Sequence, residues 1–256
     1  MEHSRSALEG QGVNVASVSY DTEASLKAFA DTYKIGYPML SDVGSAVIRK
    51  FGILNTNIPE GHPFHGIPFP VDYVIGPDLK VRDKVFQPDY QARPAASEVL
   101  LKNFGISDGG PTITIKAEEV AAVITVSSGF AVPGRQLGVA IAFTVASGWH
   151  VYGRPISDNY VATSITFEPE FVSAQSLDFS KPTPVEFKAL GETLPAYSGT
   201  FRASGSILIR ANLKPGDYKI KGTLSFQECS DQICKLPQKI EFEVPIKIES
   251  MTGPAK

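Results

Sequence analysis

The sequence predicts two folded units of different class: an α/β layer structure, then an all-β sandwich of immunoglobulin-like type. Three observations carry this. The chain has 256 residues, too many for one average domain and enough for two. Helical and strand periodicities alternate up to Phe104, and beyond it strand-like runs follow one another with no helical stretch. Between the two textures lies Ile106-Ser-Asp-Gly-Gly-Pro-Thr, a Gly/Pro break. The expected units are residues 1–107, a linker at 108–116, a sandwich at 117–250 and a tail at 251–256.

Taken in order, Val13–Ser19 alternates and is rich in valine, which predicts a buried strand. Asp21 or Thr22 caps a helix running to about Lys34, with Leu26, Phe29, Ala30 and Tyr33 as its apolar stripe. Pro38–Asp42 reads as a loop, and Ser45–Phe51 as a short helix closed by Gly52. Asn55–Gly66 is an irregular insertion. Val71–Ile75 and Lys80–Phe86 form a hairpin about Gly76-Pro-Asp, and Gln91–Phe104 is a closing helix. The order β-α-α-β-β-α predicts a layered α/β unit with a mixed sheet. In the second half Val120–Ser127, Gln136–Val145, Ser164–Glu168, Gly205–Ala211, Tyr218–Phe226 and Ile240–Ile248 read as strands. Pro133-Gly134 and Pro215-Gly216 mark turns between them.

Charge excludes some functions. Residues 1–110 carry 10 Lys/Arg against 13 Asp/Glu, and residues 111–256 carry 14 against 14. Neither half is basic, so a nucleic-acid partner is not expected. The longest apolar run, Leu137–Ala146, is far short of a membrane span. The N-terminus has no signal-peptide core.

The two cysteines, Cys229 and Cys234, lie on one short turn between two strand-like runs. A disulfide closing so small a loop contributes only about 2 kcal/mol on the chain-entropy estimate. A staple is one reading. A dithiol/disulfide couple is another, since exchange needs an accessible thiolate and a second sulfur within reach. A zinc site would need two more ligands, and no histidine is near in sequence. His62 and His65, with Glu60, could be imagined on a metal, but solvated loop histidines are expected. No metal and no cofactor are predicted. Gly148-Trp-His-Val-Tyr-Gly holds the single tryptophan. Trp149 and Tyr152 are expected in the core, with His150 turned to solvent or to a loop.

The first half resembles the redoxin, or AhpC/TSA-like, branch of the thioredoxin superfamily. The likeness is carried by Val15-Ala-Ser-Val-Ser-Tyr-Asp, Tyr37-Pro-Met-Leu-Ser-Asp, Phe51-Gly-Ile-Leu-Asn and Gly66-Ile-Pro-Phe-Pro-Val-Asp-Tyr-Val-Ile-Gly-Pro-Asp, across most of residues 7–104. It implies a thioredoxin-like fold in which Pro70 is a cis-proline facing the active site. The family places a reactive cysteine on a helix after an earlier strand, and this chain has neither. Met1 is therefore not expected to be the natural start. A Cys-x-x-Cys or single-Cys helix is expected upstream, behind a signal peptide. Pro70 also stands where true peroxiredoxins carry an arginine, which argues against a peroxidase.

The second half, over roughly residues 117–249, resembles the N-terminal domain of the thiol:disulfide interchange protein DsbD. The signature is Gly148-Trp-His-Val-Tyr, then Pro182-Thr-Pro, then Gly222-Thr-Leu-Ser-Phe-Gln-Glu-Cys-Ser-Asp-Gln-Ile-Cys-Lys-Leu-Pro. The resemblance implies an immunoglobulin-like domain, periplasmic or secreted. It also implies that Cys229 and Cys234 take electrons from a thioredoxin-like donor and pass them to oxidised client proteins. Pro70, Trp149, His150, Tyr152 and Lys235 are the expected supporting residues. Lys235 replaces a frequent aromatic, and a cation there would lower the Cys234 thiol pKa. Three function classes follow: a thiol–disulfide oxidoreductase, a binding module with an inert staple, and an AhpC/TSA-type peroxidase.

Overall fold

The computed structural model of the chain describes residues 2–86, 96–188 and 190–250. Its first half contains α1 (Arg5–Glu9), β1 (Ser17–Ser19), α2 (Glu23–Tyr33), β2 (Met39–Ser41), α3 (Ala46–Lys50), β3 (Val71–Ile75), β4 (Val81–Phe86) and α4 (Ala96–Phe104). Thr22 caps α2 by accepting the N–H of Ser25. Gly52 follows α3 at φ +65°, the left-handed conformation expected past a helix end. His62 and His65 are held within the insertion: His62 Nδ1 accepts the N–H of Phe64, and His65 Nδ1 lies 3.2 Å from the Ile58 carbonyl.

Several expectations change here. The first strand is only three residues long, and the segment expected as a loop contributes its parallel partner β2. That pairing is non-local, so no local pattern announces it. Among the described residues β1–β2 and β3–β4 form two separate two-stranded sheets rather than one mixed sheet, because no strand joins them. On α2 only Leu26 is buried; Phe29 and Tyr33 pack ring to ring at 4.5 Å on the outside. The Phe69–Pro70 bond is trans, whereas the resemblance implied cis; among the described residues the cis bond lies at Arg154–Pro155. Phe69 donates to the Ile53 carbonyl and Leu54 bridges Pro68, so the chain runs extended from that pairing straight into β3. The start of the closing helix, from Gln91, lies outside the described residues.

The second half contains β5 (Thr112–Lys116), β6 (Val120–Val126), β7 (Phe130–Ala131), β8 (Gln136–Val145), β9 (Trp149–Tyr152), β10 (Ser164–Phe167), β11 (Val172–Phe179), β12 (Thr183–Phe187), β13 (Glu192–Tyr197), β14 (Thr200–Ile209), β15 (Gly216–Phe226), β16 (Glu228–Ser230) and β17 (Gln238–Ile248). The sheet β11-β14-β8-β6-β5 faces the sheet β10-β15-β17-β7, and a smaller sheet β12-β13-β9-β16 closes one end. This is a β-sandwich. In β17, Phe242, Val244, Ile246 and Ile248 point into the core, while Glu241, Glu243, Pro245 and Lys247 point out. Ile124, Ile141, Phe143 and Ile207 meet them from the other sheet. Phe143 stacks on Phe201 at 4.4 Å.

The expected linker is not free: Thr112–Lys116 pairs along β6 as an edge strand of the larger sheet. Its Thr-Ile-Thr-Ile-Lys alternation suits an edge strand with one buried face. Strands β7, β9, β11, β12, β13 and β16 also appear where none was expected. They are short or polar, and pairing rather than apolar content defines them.

Helix α4 ties the halves together. Its Leu100 and Leu101 are buried, and it lies against β8 and β14. A Cβ on Gly138 would meet the Glu98 backbone at 3.0 Å, so helix and strand approach closely. Ser97 Oγ lies 3.3 Å from Ser127 Oγ, and Ser4 donates to Asp108. These contacts sit at the end of the sandwich where Val126 pairs with Val139. The small sheet sits at the other end, beyond the Val120–Val145 pair. The length of β6 separates the two ends by about 20 Å.

Candidate functional site

At that far end β15 stops at Phe226, and after Gln227 the chain runs into β16. Strand β16 lies antiparallel to β9, with Glu228 opposite Val151, Cys229 opposite His150, and Ser230 opposite Trp149. The turn that follows is made by Ser230, whose Oγ accepts the N–H groups of Gln232 and Ile233. The chain comes back with Lys235 N–H donating to the Glu228 carbonyl at 2.9 Å. This hairpin sets Cys234 opposite Cys229, and the two form a disulfide.

Alternation along β9 places His150 and Tyr152 on one face, with Cys229 facing them across the pair. The Tyr152 hydroxyl lies 2.9 Å from Cys229 Sγ and 3.5 Å from Cys234 Sγ. Disulfide sulfurs carry no hydrogen, so the hydroxyl donates. Tyr152, Phe187, Ala196 and Cys229 form a small buried cluster flanked by Tyr160, Leu190 and Leu194. Burial, with added repulsion from Tyr160 and Glu192, pushes the Tyr152 phenol up to about 12. It therefore remains a hydrogen-bond donor throughout the neutral range.

The two sulfurs differ in access. Cys229 is 0% exposed, whereas Cys234 is partly exposed between the outward-facing Ile233 and Leu236. His150, expected to face solvent or to bond a loop, is half-buried, and its ring stands edge-on to Phe187 at 5.5 Å. Its Nδ1 is buried, with no hydrogen-bond partner among the described residues.

Lys235 is held by its surroundings. Its ammonium is 2.9 Å from Glu118, 3.1 Å from Glu228 and 3.5 Å from Glu119, and lies 4.2 Å above the Trp149 ring. Burial alone would lower its pKa, but hydrogen bonds and charge from Glu118 and Glu228 outweigh this and raise it. Glu228 itself is fully buried; its Oε2, the oxygen that meets Lys235, also accepts from Gln238, while its Oε1 has no hydrogen-bond partner among the described residues. Trp149 is partly buried against the main core.

The fold thus brings Cys229, Cys234, Trp149, His150, Tyr152 and Lys235 to one place. Pro70 is not among them; it is buried in the first half, which is fastened to the other end of the sandwich. Glu228, Glu118, Phe187 and Tyr160 belong to the site without having been singled out for it. Phe187 lies three residues past the Pro182-Thr-Pro group, so a signal beside it was present. Among the described residues no group of three His, Cys, Asp or Glu side chains is placed to hold a metal.

Residues 119–246 match the family described as the N-terminal part of the thiol:disulfide interchange protein DsbD, and residues 1–84 match the AhpC/TSA family. No curated protein matches the chain. Among solved structures, the reduced N-terminal domain of DsbD from Neisseria meningitidis is similar at 20% identity, over 43% of this chain and 78% of that one, with a TM-score of 0.31. The N-terminal periplasmic domain of ScsB from Proteus mirabilis is similar at 15% identity, over 53% of this chain and 49% of that one, with a TM-score of 0.35.

Proposed function

Because the chain belongs, through residues 119–246, to the family of DsbD N-terminal domains, we propose that Cys229 and Cys234 are a dithiol/disulfide couple. It takes electrons from a thioredoxin-like donor and passes them to oxidised client proteins in the periplasm. The observation that carries this reading is the asymmetry of the pair: Cys234 is partly exposed, and Cys229 is fully buried against a hydroxyl that donates to it.

The asymmetry assigns an order of events. A donor thiolate attacks Cys234 Sγ and forms an intermolecular disulfide. The electron pair of the broken S–S bond leaves on Cys229 Sγ. An apolar pocket disfavours a thiolate, but the Tyr152 hydrogen bond offsets that cost until a proton arrives from solvent. The donor's second thiolate then attacks its own sulfur in the mixed disulfide and releases Cys234, which takes a proton. The donor departs as a disulfide and the pair as a dithiol, two electrons having moved. Transfer to a client runs the same steps in reverse.

The first half acts as a scaffold or docking surface in this reading. It has no cysteine and is fastened about 20 Å from the reactive end, so the donor approaches from outside that contact. The missing cysteine, together with Pro70 in place of an arginine, speaks against peroxidase activity in this chain.

A redox titration of the pair by alkylation and intact mass tests the proposal. An exchanging couple is expected between about −180 and −270 mV, and a structural one below about −300 mV. The burial of Cys229 is what favours the second reading, a staple in a binding module; a pair that stays oxidised at strongly reducing poise would establish it.

A further inference from the structure

One ammonium group touches both ends of the cysteine loop. Lys235 immediately follows Cys234, and Glu228 immediately precedes Cys229. Their side chains pair at 3.1 Å while the Lys235 N–H donates to the Glu228 carbonyl at 2.9 Å. The two feet of the loop are therefore joined twice. The same ammonium reaches Glu118 at 2.9 Å, which anchors the loop to the turn between β5 and β6, and it rests on the face of Trp149. A carboxylate buried as completely as Glu228 needs a charge partner, and among the described residues Lys235 is the one within reach.

We propose that Lys235 is a positioning residue that sets the disulfide–dithiol equilibrium of the Cys229–Cys234 loop by clamping both of its feet. This rests on the reading that the pair exchanges. Reduction breaks the S–S bond with two electrons and two protons from a partner dithiol, and a free loop would then spread. The clamp does not depend on the sulfurs, so it persists in the dithiol. Two thiols held in proximity close again more readily, because their effective concentration for each other is high. The clamp thus favours the disulfide. This differs from a cation acting directly on a thiolate, since the ammonium is surrounded by carboxylates and an indole face.

The test measures the exchange equilibrium of the full chain against a thioredoxin-type dithiol at fixed pH. Lys235→Met keeps the stem and removes the charge; it should favour the dithiol by about tenfold, equivalent to about 30 mV toward more positive potential. Lys235→Met strands the Glu228 carboxylate and could unfold the site. Lys235→Met/Glu228→Gln removes both charges and should shift the equilibrium in the same direction. Glu118→Gln frees one exposed anchor and should give a smaller shift, about twofold to threefold on the scale of a single weak ion pair. Lys235→Arg should restore the wild-type value. Folded variants whose equilibrium equals wild type would overturn the role of Lys235. So would a change confined to the pH midpoint of thiol alkylation, which would instead assign direct action on the thiolate. A wild-type pair that cannot be reduced at all would remove the exchange reading itself, a separate outcome.

Discussion

Val18 and Leu40 face each other across β1 and β2 and are 45% and 53% exposed, whereas Ile141 and Phe143 on β8 are each 1% exposed. Both pairs lie on strands and both are apolar. They differ in what stands over them. In the sandwich each sheet covers the other, so every inward residue meets a partner layer. In the first half α2 lies against β2, but nothing described covers the face that carries Val18 and Leu40. Parallel pairs normally bury both faces. Alternation therefore assigns a side chain to a face; whether that face is buried depends on a second layer. The disulfide sits on the well-covered unit, where a fixed pocket can hold one sulfur and leave the other open.

The largest test of this contrast is Phe143→Ala. It empties the stack with Phe201 and Phe179 and should destabilise the sandwich by about 3–5 kcal/mol in urea unfolding. A loss below about 1 kcal/mol would mean the sandwich core is not the stable unit.

Asp72 gives a second, pH-dependent test in the first half. Burial raises its carboxyl to about 6. Protonated Asp72 favours the folded state, so this contribution is full below the ordinary carboxylate range and is lost as pH rises through about 6. Asp72→Asn should stabilise the first half by about 2 kcal/mol at pH 7, allowing for partial solvent screening, and flatten its stability between pH 4 and 7. A variant that keeps the wild-type slope would transfer the pH dependence to another group.

Tyr152→Phe removes the donor from the buried sulfur. Loss of one hydrogen bond to a developing thiolate should slow reduction about tenfold, with little change in thermal stability. An unchanged rate would show that Cys229 leaves without help from the hydroxyl. At the small end, Phe29→Ala on the exposed face of α2 should change stability by less than about 0.5 kcal/mol. A cost near that of Phe143→Ala would mean that the α2 face is covered in solution.

The core strands β6, β8, β15 and β17 were legible in the sequence because their apolar residues alternate with period two. Strand β17 could be read over Ile240–Ile248, two residues short of its start at Gln238. Strands β11 and β12, with polar runs such as Ser173–Ser176, could not, since only their partners make them strands. The site was legible in its sulfurs and in Trp149, His150 and Tyr152, which lie in two short groups. Pro70 enters only through resemblance to the redoxin fold, and its peptide bond is trans.

By itself the sequence determined the change of texture after Phe104 and the closeness of two thiols, because these follow from local periodicity and from a separation of a few residues. Tertiary structure alone decided that Cys229 is buried and Cys234 partly exposed, and that the Tyr152 hydroxyl reaches both. It also decided that Lys235 faces Glu118 and Glu228, and that the first half is fastened at the opposite end. Each of these depends on groups brought together from distant strands, and pairing register across a sheet is set by the packing of whole layers, not by the residues on either side of a turn.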